Sequence, residues 1–339
     1  MSILFIVSPS YGQWAATYGG YNNDWASSIQ QTSDGGFIVA GYYSSYYLSF
    51  PYEIGWGHWV LKLRPDGTVE WQKAYEGVGA ESIQQTKDGG YIVAGATRSF
   101  SPEGFEIHHL LVLKLRSDGA VEWQRAYGGN NFDRSSSIQQ TIGGGYIVAG
   151  WTNSFGRGDD DFWVLKLRPD GTVEWQKTYG GGSFDGADSI CETSDKGYIV
   201  AGHTGFGIRG DLWVLKLRPD GAVEWQKAYG GINHDEAESI QQTSDGGYIV
   251  AGKTASFGRT PKTLDFWVLK LNPDGSINPS CNYFVIDTDA SGIDSNATIL
   301  DTNADVRDTN ADVRDSNAIP QVSPIKVMVT DVPVNILCP

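Results

Sequence analysis

The chain has 339 residues, with 43 Gly, 12 Trp and 17 Tyr but only 13 Pro. That length allows a sizeable core, and the composition suits many short strands joined by tight turns, not a collagen-like or disordered chain. Its net charge of −15, with Lys and Arg scattered singly, excludes the clustered cationic surface that nucleic acid demands. No apolar run reaches the roughly 18 residues of a membrane-spanning helix, and Ile3 to Val7 is too short, and too poor in basic flanks, for a signal-peptide core.

Residues 1–10 form an N-terminal segment, followed by Tyr11-Gly-Gln-Trp-Ala-Ala-Thr-Tyr-Gly-Gly20. The motif Ser28-Ile-Gln-Gln-Thr32 then recurs at Ser82, Ser137, Ser189 (as Ser-Ile-Cys-Glu-Thr) and Ser239. Each copy leads through a Gly-containing turn to Phe/Tyr-Ile-Val-Ala-Gly, as in Tyr91 to Gly95, and then through a variable loop to Val-Leu-Lys-Leu. An Asp-Gly turn follows, and after it Val-Glu-Trp-Gln centred on Trp71, Trp123, Trp175 and Trp225. Four short runs of β-branched and aromatic residues, each bounded by a turn, predict a four-stranded antiparallel meander. Tandem copies of about 40–50 residues with four strands each predict an all-β fold, a β-propeller.

The fifth copy ends differently. Pro279 stands where its Trp is due, and Pro is a poor member of a paired strand. The missing strand matches the stretch around Trp14, so the expectation is a five-bladed propeller over residues 11–276. The N-terminal strand then completes the last blade and leaves no edge in the ring. The outer-strand Trp residues should fill the wedges between blades. The Lys of Val-Leu-Lys-Leu should point to the opposite sheet face and snorkel.

Residues 277–339 form a C-terminal tail. Repeats of seven residues begin at Asp294, Asp301, Asp308 and Asp315. Their apolar positions Ala304 and Val306 lie two apart, which predicts short extended pieces and not a coiled coil. Ile325 to Leu337 reads as a terminal strand. Asp287, Asp289 and Ser291 look like the opening of a Ca²⁺ loop but lack its closing Glu. Asn296-Ala-Thr is an N-glycosylation sequon. Cys281 and Cys338 bracket the tail as a candidate disulfide, which would favour an oxidising compartment, whereas Cys191 replaces a repeat Gln and should pack as a small side chain.

The repeat Ser-Ile-Gln-Gln-Thr…Asp-Gly-Gly-Tyr-Ile-Val-Ala-Gly…Asp-Phe-Trp-Val-Leu-Lys-Leu…Asp-Gly…Trp-Gln-Lys…Tyr-Gly-Gly resembles a family of secreted or surface β-propeller proteins of bacteria and archaea. It is also distantly kelch-like, with a single Gly where kelch repeats have a pair. The resemblance implies the propeller fold and an extracellular or cell-surface setting. It implies no catalytic residue.

In an array, a residue found in one copy is a better functional candidate than one found in all. The first copy stands out, with Tyr42, Tyr43, Tyr46, Tyr47, Phe50, Tyr52 and Trp56 in one loop, a density of aromatics that suits contact with protein or sugar rings. Loop carboxylates (Asp24, Asp133, Asp185, Asp235; Asp159, Asp160, Asp161, Asp211, Asp265) could bind Ca²⁺, but capping of turns accounts for their recurrence more simply. The five histidines show no metal-ligand spacing, and no catalytic fingerprint or cofactor motif is present. These readings lead to a non-enzymatic extracellular structural or interaction protein that self-associates through its tail strands and blade-one loop, with a filament as one form of that assembly; the other reading is a propeller module that binds carbohydrate or protein.

Overall fold

The computed structural model describes residues 14–19, 23–46, 54–101, 103–205, 210–258 and 263–278, with the short strands 285–287, 293–294, 298–301, 306–308 and 313–315; for 44–46, 54–56 and those five strands it describes the backbone. Among the described residues the regular elements are all strands. β1 (Ala16–Tyr18) precedes five repeated units. Unit one is β2 (Asp24–Gln31), β3 (Phe37–Tyr46), β4 (Ile54–Leu63) and β5 (Val69–Glu76); unit two is β6 (Gly79–Gln85), β7 (Tyr91–Phe100), β8 (Glu106–Leu115) and β9 (Val121–Gly128). Unit three is β10 (Asp133–Gln140), β11 (Tyr146–Thr152), β12 (Asp161–Leu167) and β13 (Val173–Tyr179); unit four is β14 (Asp185–Glu192), β15 (Tyr198–Thr204), β16 (Asp211–Leu217) and β17 (Val223–Tyr229). Unit five is β18 (Asp235–Gln242), β19 (Tyr248–Thr254) and β20 (Asp265–Leu271). The tail supplies β21 (Val285–Asp287), β22 (Ile293–Asp294), β23 (Thr298–Asp301), β24 (Val306–Asp308) and β25 (Val313–Asp315).

Within each unit consecutive strands pair antiparallel, as the turn chemistry requires. In the first turn of unit one, Gly35 takes the left-handed backbone (φ 84°) that closes the hairpin, and Asp34 accepts bonds from Thr32 Oγ1 and, at 2.9 Å, from Gly36 N–H. Every first strand bulges, between Ala26 and Ser28 in unit one, and the Gly of the facing strand makes this fit. A Cβ on Gly41 would lie 1.9 Å from the Trp25 carbonyl oxygen, and Gly150 and Gly252 are as tightly opposed.

Apolar side chains fill four seams between successive units. Phe162, Val164 and Tyr179 of unit three, for example, pack on Ile190, Val200, Trp213 and Leu215 of unit four. The outer-strand Trp residues lie in these seams, as the repeat pattern predicts. Trp175 Nε1 donates to Pro219 O at 3.0 Å and its ring meets Tyr198 edge-on, and Tyr179 O–H donates to Gly221 O at 2.6 Å. In units one, two and four the Lys of Val-Leu-Lys-Leu is buried and does not snorkel, whereas Lys270 of unit five is exposed. Lys62, Lys114 and Lys216 are only 3% exposed, and each ammonium reaches the turn carboxylate of its own unit (Asp34, Asp88, Asp195) at 2.8 Å. Partial burial opposes ionisation of these Asp residues, but the Lys, Thr and Gly donors outweigh it and hold all three at about 2.

The tail strands extend the sheets of the same chain. β21 adds to β17, β22 to β13, β23 to β9, β24 to β5 and β25 to β1, so the tail visits the units in reverse order and covers one outer edge at each stop. The short extended pieces expected of the seven-residue repeats are these strands. Asp287 ends strand β21 as the register partner of Lys227; Asp289, Ser291, Asn296, Cys281 and Cys338 lie outside the described residues.

β1 packs on unit one, where Tyr18 joins Trp59, Leu61 and Leu63. Its paired neighbour is β25, while unit five is a sheet of order β18-β19-β20. Phe266 and Val268 on β20 are 99% and 63% exposed, whereas Phe162 and Val164, their counterparts in unit three, are fully buried.

Candidate functional site on the loop face

In units three and five the loop before the first strand and the loop after the second strand are tied together by the aspartate that opens the first strand. Asp133 accepts from Ser154 Oγ (2.7 Å), Gly129 N–H (2.8 Å) and Thr152 Oγ1, and Asp235 repeats the arrangement with Ser256, Gly231 and Thr254. These two carboxylates therefore cap the turns of their own loops.

Asp161 and Asp211, which open the third strands of units three and four, are less satisfied. Asp161 Oδ2 accepts from Arg157 N–H at 2.6 Å, while its buried Oδ1 and that of Asp211 have no hydrogen-bond partner among the described residues. Burial, reinforced by Asp185 and Asp160, pushes Asp161 up to about 7, and burial with the charge of Asp235 pushes Asp211 up to about 6.

Of the aromatic residues in the first copy, Tyr42 and Tyr43 are half-buried on β3. Tyr42 stacks on Trp25 of the neighbouring strand, with ring centroids 4.8 Å apart, and so packs onto its own sheet. Tyr46 and Trp56 continue the paired strands β3 and β4, with Ser44 opposite Trp56 and Tyr46 opposite Ile54. Tyr47, Phe50 and Tyr52 lie outside the described residues.

At the seam between units four and five the structure gathers side chains that sequence spacing left apart. Asp188, His203 and Glu236 each bring one ligand-type atom within 4.8 Å of the other two, all half-buried. His203 Nδ1 is 3.4 Å from Asp188 Oδ2, and Glu236 Oε2 is met by His234 Nε2 at 2.9 Å and by Lys253 Nζ at 3.2 Å. Burial raises Asp188 above its ordinary value. For His203 burial acts downward, but its bond to Asp188 and the nearby carboxylates prevail and raise it. Burial acts upward on Glu236, but His234, His203 and Lys253 outweigh it and the group is lowered.

The fold builds this cluster with ordinary parts. Asp188 is the bulge residue between Ala187 and Ser189, whose side chain the bulge re-aims. Gly186 is the register partner of His203, and a Cβ there would lie 2.6 Å from the imidazole Cε1, so glycine makes room for the ring. The histidines show no ligand spacing because the three groups come from different strands of two units. The signal that does exist in the sequence is departure from the repeat: the positions equivalent to Asp188, His203 and Glu236 hold Ser27, Tyr42 and Gly79 at the first seam, Glu81, Ala96 and Arg134 at the second, and Ser136, Trp151 and Gly186 at the third.

No protein-family model matches the chain, and no curated protein sequence matches it significantly.

Proposed function

We propose that the chain is a closed five-bladed β-propeller acting as a non-enzymatic, extracellular interaction scaffold, belted by its own tail and binding partners through its loop face. The observation that carries this reading is the placement of β1. Trp14 Nε1 donates to Pro65 O at 3.0 Å and Tyr18 O–H to Gly67 O at 2.6 Å, the bonds that Trp175 and Tyr179 make to Pro219 and Gly221 one blade on. β1 thus occupies, against blade one, the position of a preceding blade's outer strand. Blade one also carries a pocket lined by Tyr18, Ala26, Val39, Trp59 and Leu61, the counterpart of the site on blade four that receives Phe162. Phe266 is the residue due there.

The tail strands are used within the chain, which favours a belt over strands lent to a neighbour. Self-association has a different support: the exposed Phe266 face could dock on blade one of a second copy, head to tail, and give an open filament. Light scattering on the intact chain over a wide concentration range separates the two. The belted ring predicts the mass of one chain throughout, and concentration-dependent polymers would overturn it in favour of the filament.

A further inference from the structure

We propose that the seam between blades four and five binds one divalent transition-metal ion of the zinc class through Asp188, His203 and Glu236. One imidazole nitrogen and two carboxylate oxygens are ligands of that class, and the imidazole disfavours Ca²⁺ and Mg²⁺, which take oxygen. The three atoms lie within 4.8 Å of one another, and the His203–Asp188 pair stands at 3.4 Å. Two ligands each about 2 Å from a tetrahedral ion are roughly 3.3 Å apart, so that pair is already at ligand spacing and Glu236 needs only a side-chain adjustment.

The groups around the cluster fit this role. His234 and Lys253 both address Glu236 Oε2, which orients the carboxylate. Lys253 also reaches Glu238 at 2.9 Å, so its charge is shared between two carboxylates and does not cancel the site. The nearby His234 Nδ1 is buried without a hydrogen-bond partner among the described residues. A repeat-wide structural role does not account for the cluster, since the other seams carry Ser, Gly, Ala, Arg, Glu and aromatic residues at the same positions. Because its ligands come from two blades, a bound ion ties those blades together and stabilises the folded chain by mass action.

The test uses the intact chain, stripped with a chelator and then dialysed. Titration with Zn²⁺ by calorimetry should show one ion per chain and a rise in melting temperature, and Co²⁺ should give visible d–d bands. His203→Ala and Asp188→Ser install residues that other blades carry at those positions, so both variants should fold. Each should weaken Zn²⁺ binding at least about tenfold while leaving the melting temperature in chelator near that of the parent. In His203→Cys, Co²⁺ should gain a thiolate charge-transfer band absent from the parent, which identifies position 203 as a ligand whatever the affinity. Absence of Zn²⁺ binding, equal binding in His203→Ala, or no new band in His203→Cys would each overturn the proposal and leave the cluster a network of ion pairs.

Discussion

Unit three carries Gly143 where the other four units have the turn aspartates Asp34, Asp88, Asp195 and Asp245, and one ammonium registers the difference. Lys166 makes longer bonds, to Thr141 Oγ1 at 3.3 Å and Leu167 O at 3.4 Å, and burial lowers its pKa. Gly143 does not take the left-handed backbone, and a Cβ there meets nothing within 4 Å. Gly143→Asp should therefore supply the missing carboxylate and stabilise the fold by about 1–2 kcal/mol, a rise of a few degrees in melting temperature. An equal rise in Gly143→Ala would show that the gain is backbone entropy and not the ion pair. This buried pairing was only half legible in the sequence. Alternation put the Lys on the face away from its apolar neighbours, but which carboxylate the turn returns to it depends on a contact across some 25 residues.

The tail strands show how much a repeat can state about its own partner. Asp287, Asp294, Asp301 and Asp308 recur every seven residues, and their register partners are Lys227, Lys177, Arg125 and Lys73, the basic residue of each outer strand. The fifth in the series, Asp315, faces Ala16 of β1, the outer strand that lacks a basic residue at this position. Seven residues is thus the step from the edge of one unit to the next, with an acid set opposite a base at four of the five stops. The period was plain in the sequence, but its meaning was not, because a strand three residues long has little preference of its own and is fixed by the edge it joins. Asp308→Lys and Lys73→Asp should each destabilise by about 0.5–1 kcal/mol, and the double exchange should recover most of the loss. Additive losses in that double-mutant cycle would mean that the register does not rest on charge.

At the scale of the molecule, the repeat made the strand order of all five units legible, together with the kinship of the Trp14 stretch to the outer strands. The site at the fourth seam was hidden, because Asp188, His203 and Glu236 meet through tertiary packing of strands that are neighbours only in space. What the proposed ring requires is one more pairing, between β1 and β20. Lys73 faces Val60, Lys177 faces Val164 and Lys227 faces Val214, and by the same register Ala16 faces Val268 in a completed fifth blade. Paired strands bring opposed Cα atoms to about 4.5–5.5 Å, within reach of a disulfide. Disulfide trapping of Ala16→Cys with Val268→Cys, in a chain whose Cys191, Cys281 and Cys338 are replaced by Ser, tests closure directly. The closed ring predicts a cross-linked monomer on a non-reducing gel, with the 16–268 link in its digest. A ladder of cross-linked multimers, or no link at all, would contradict it.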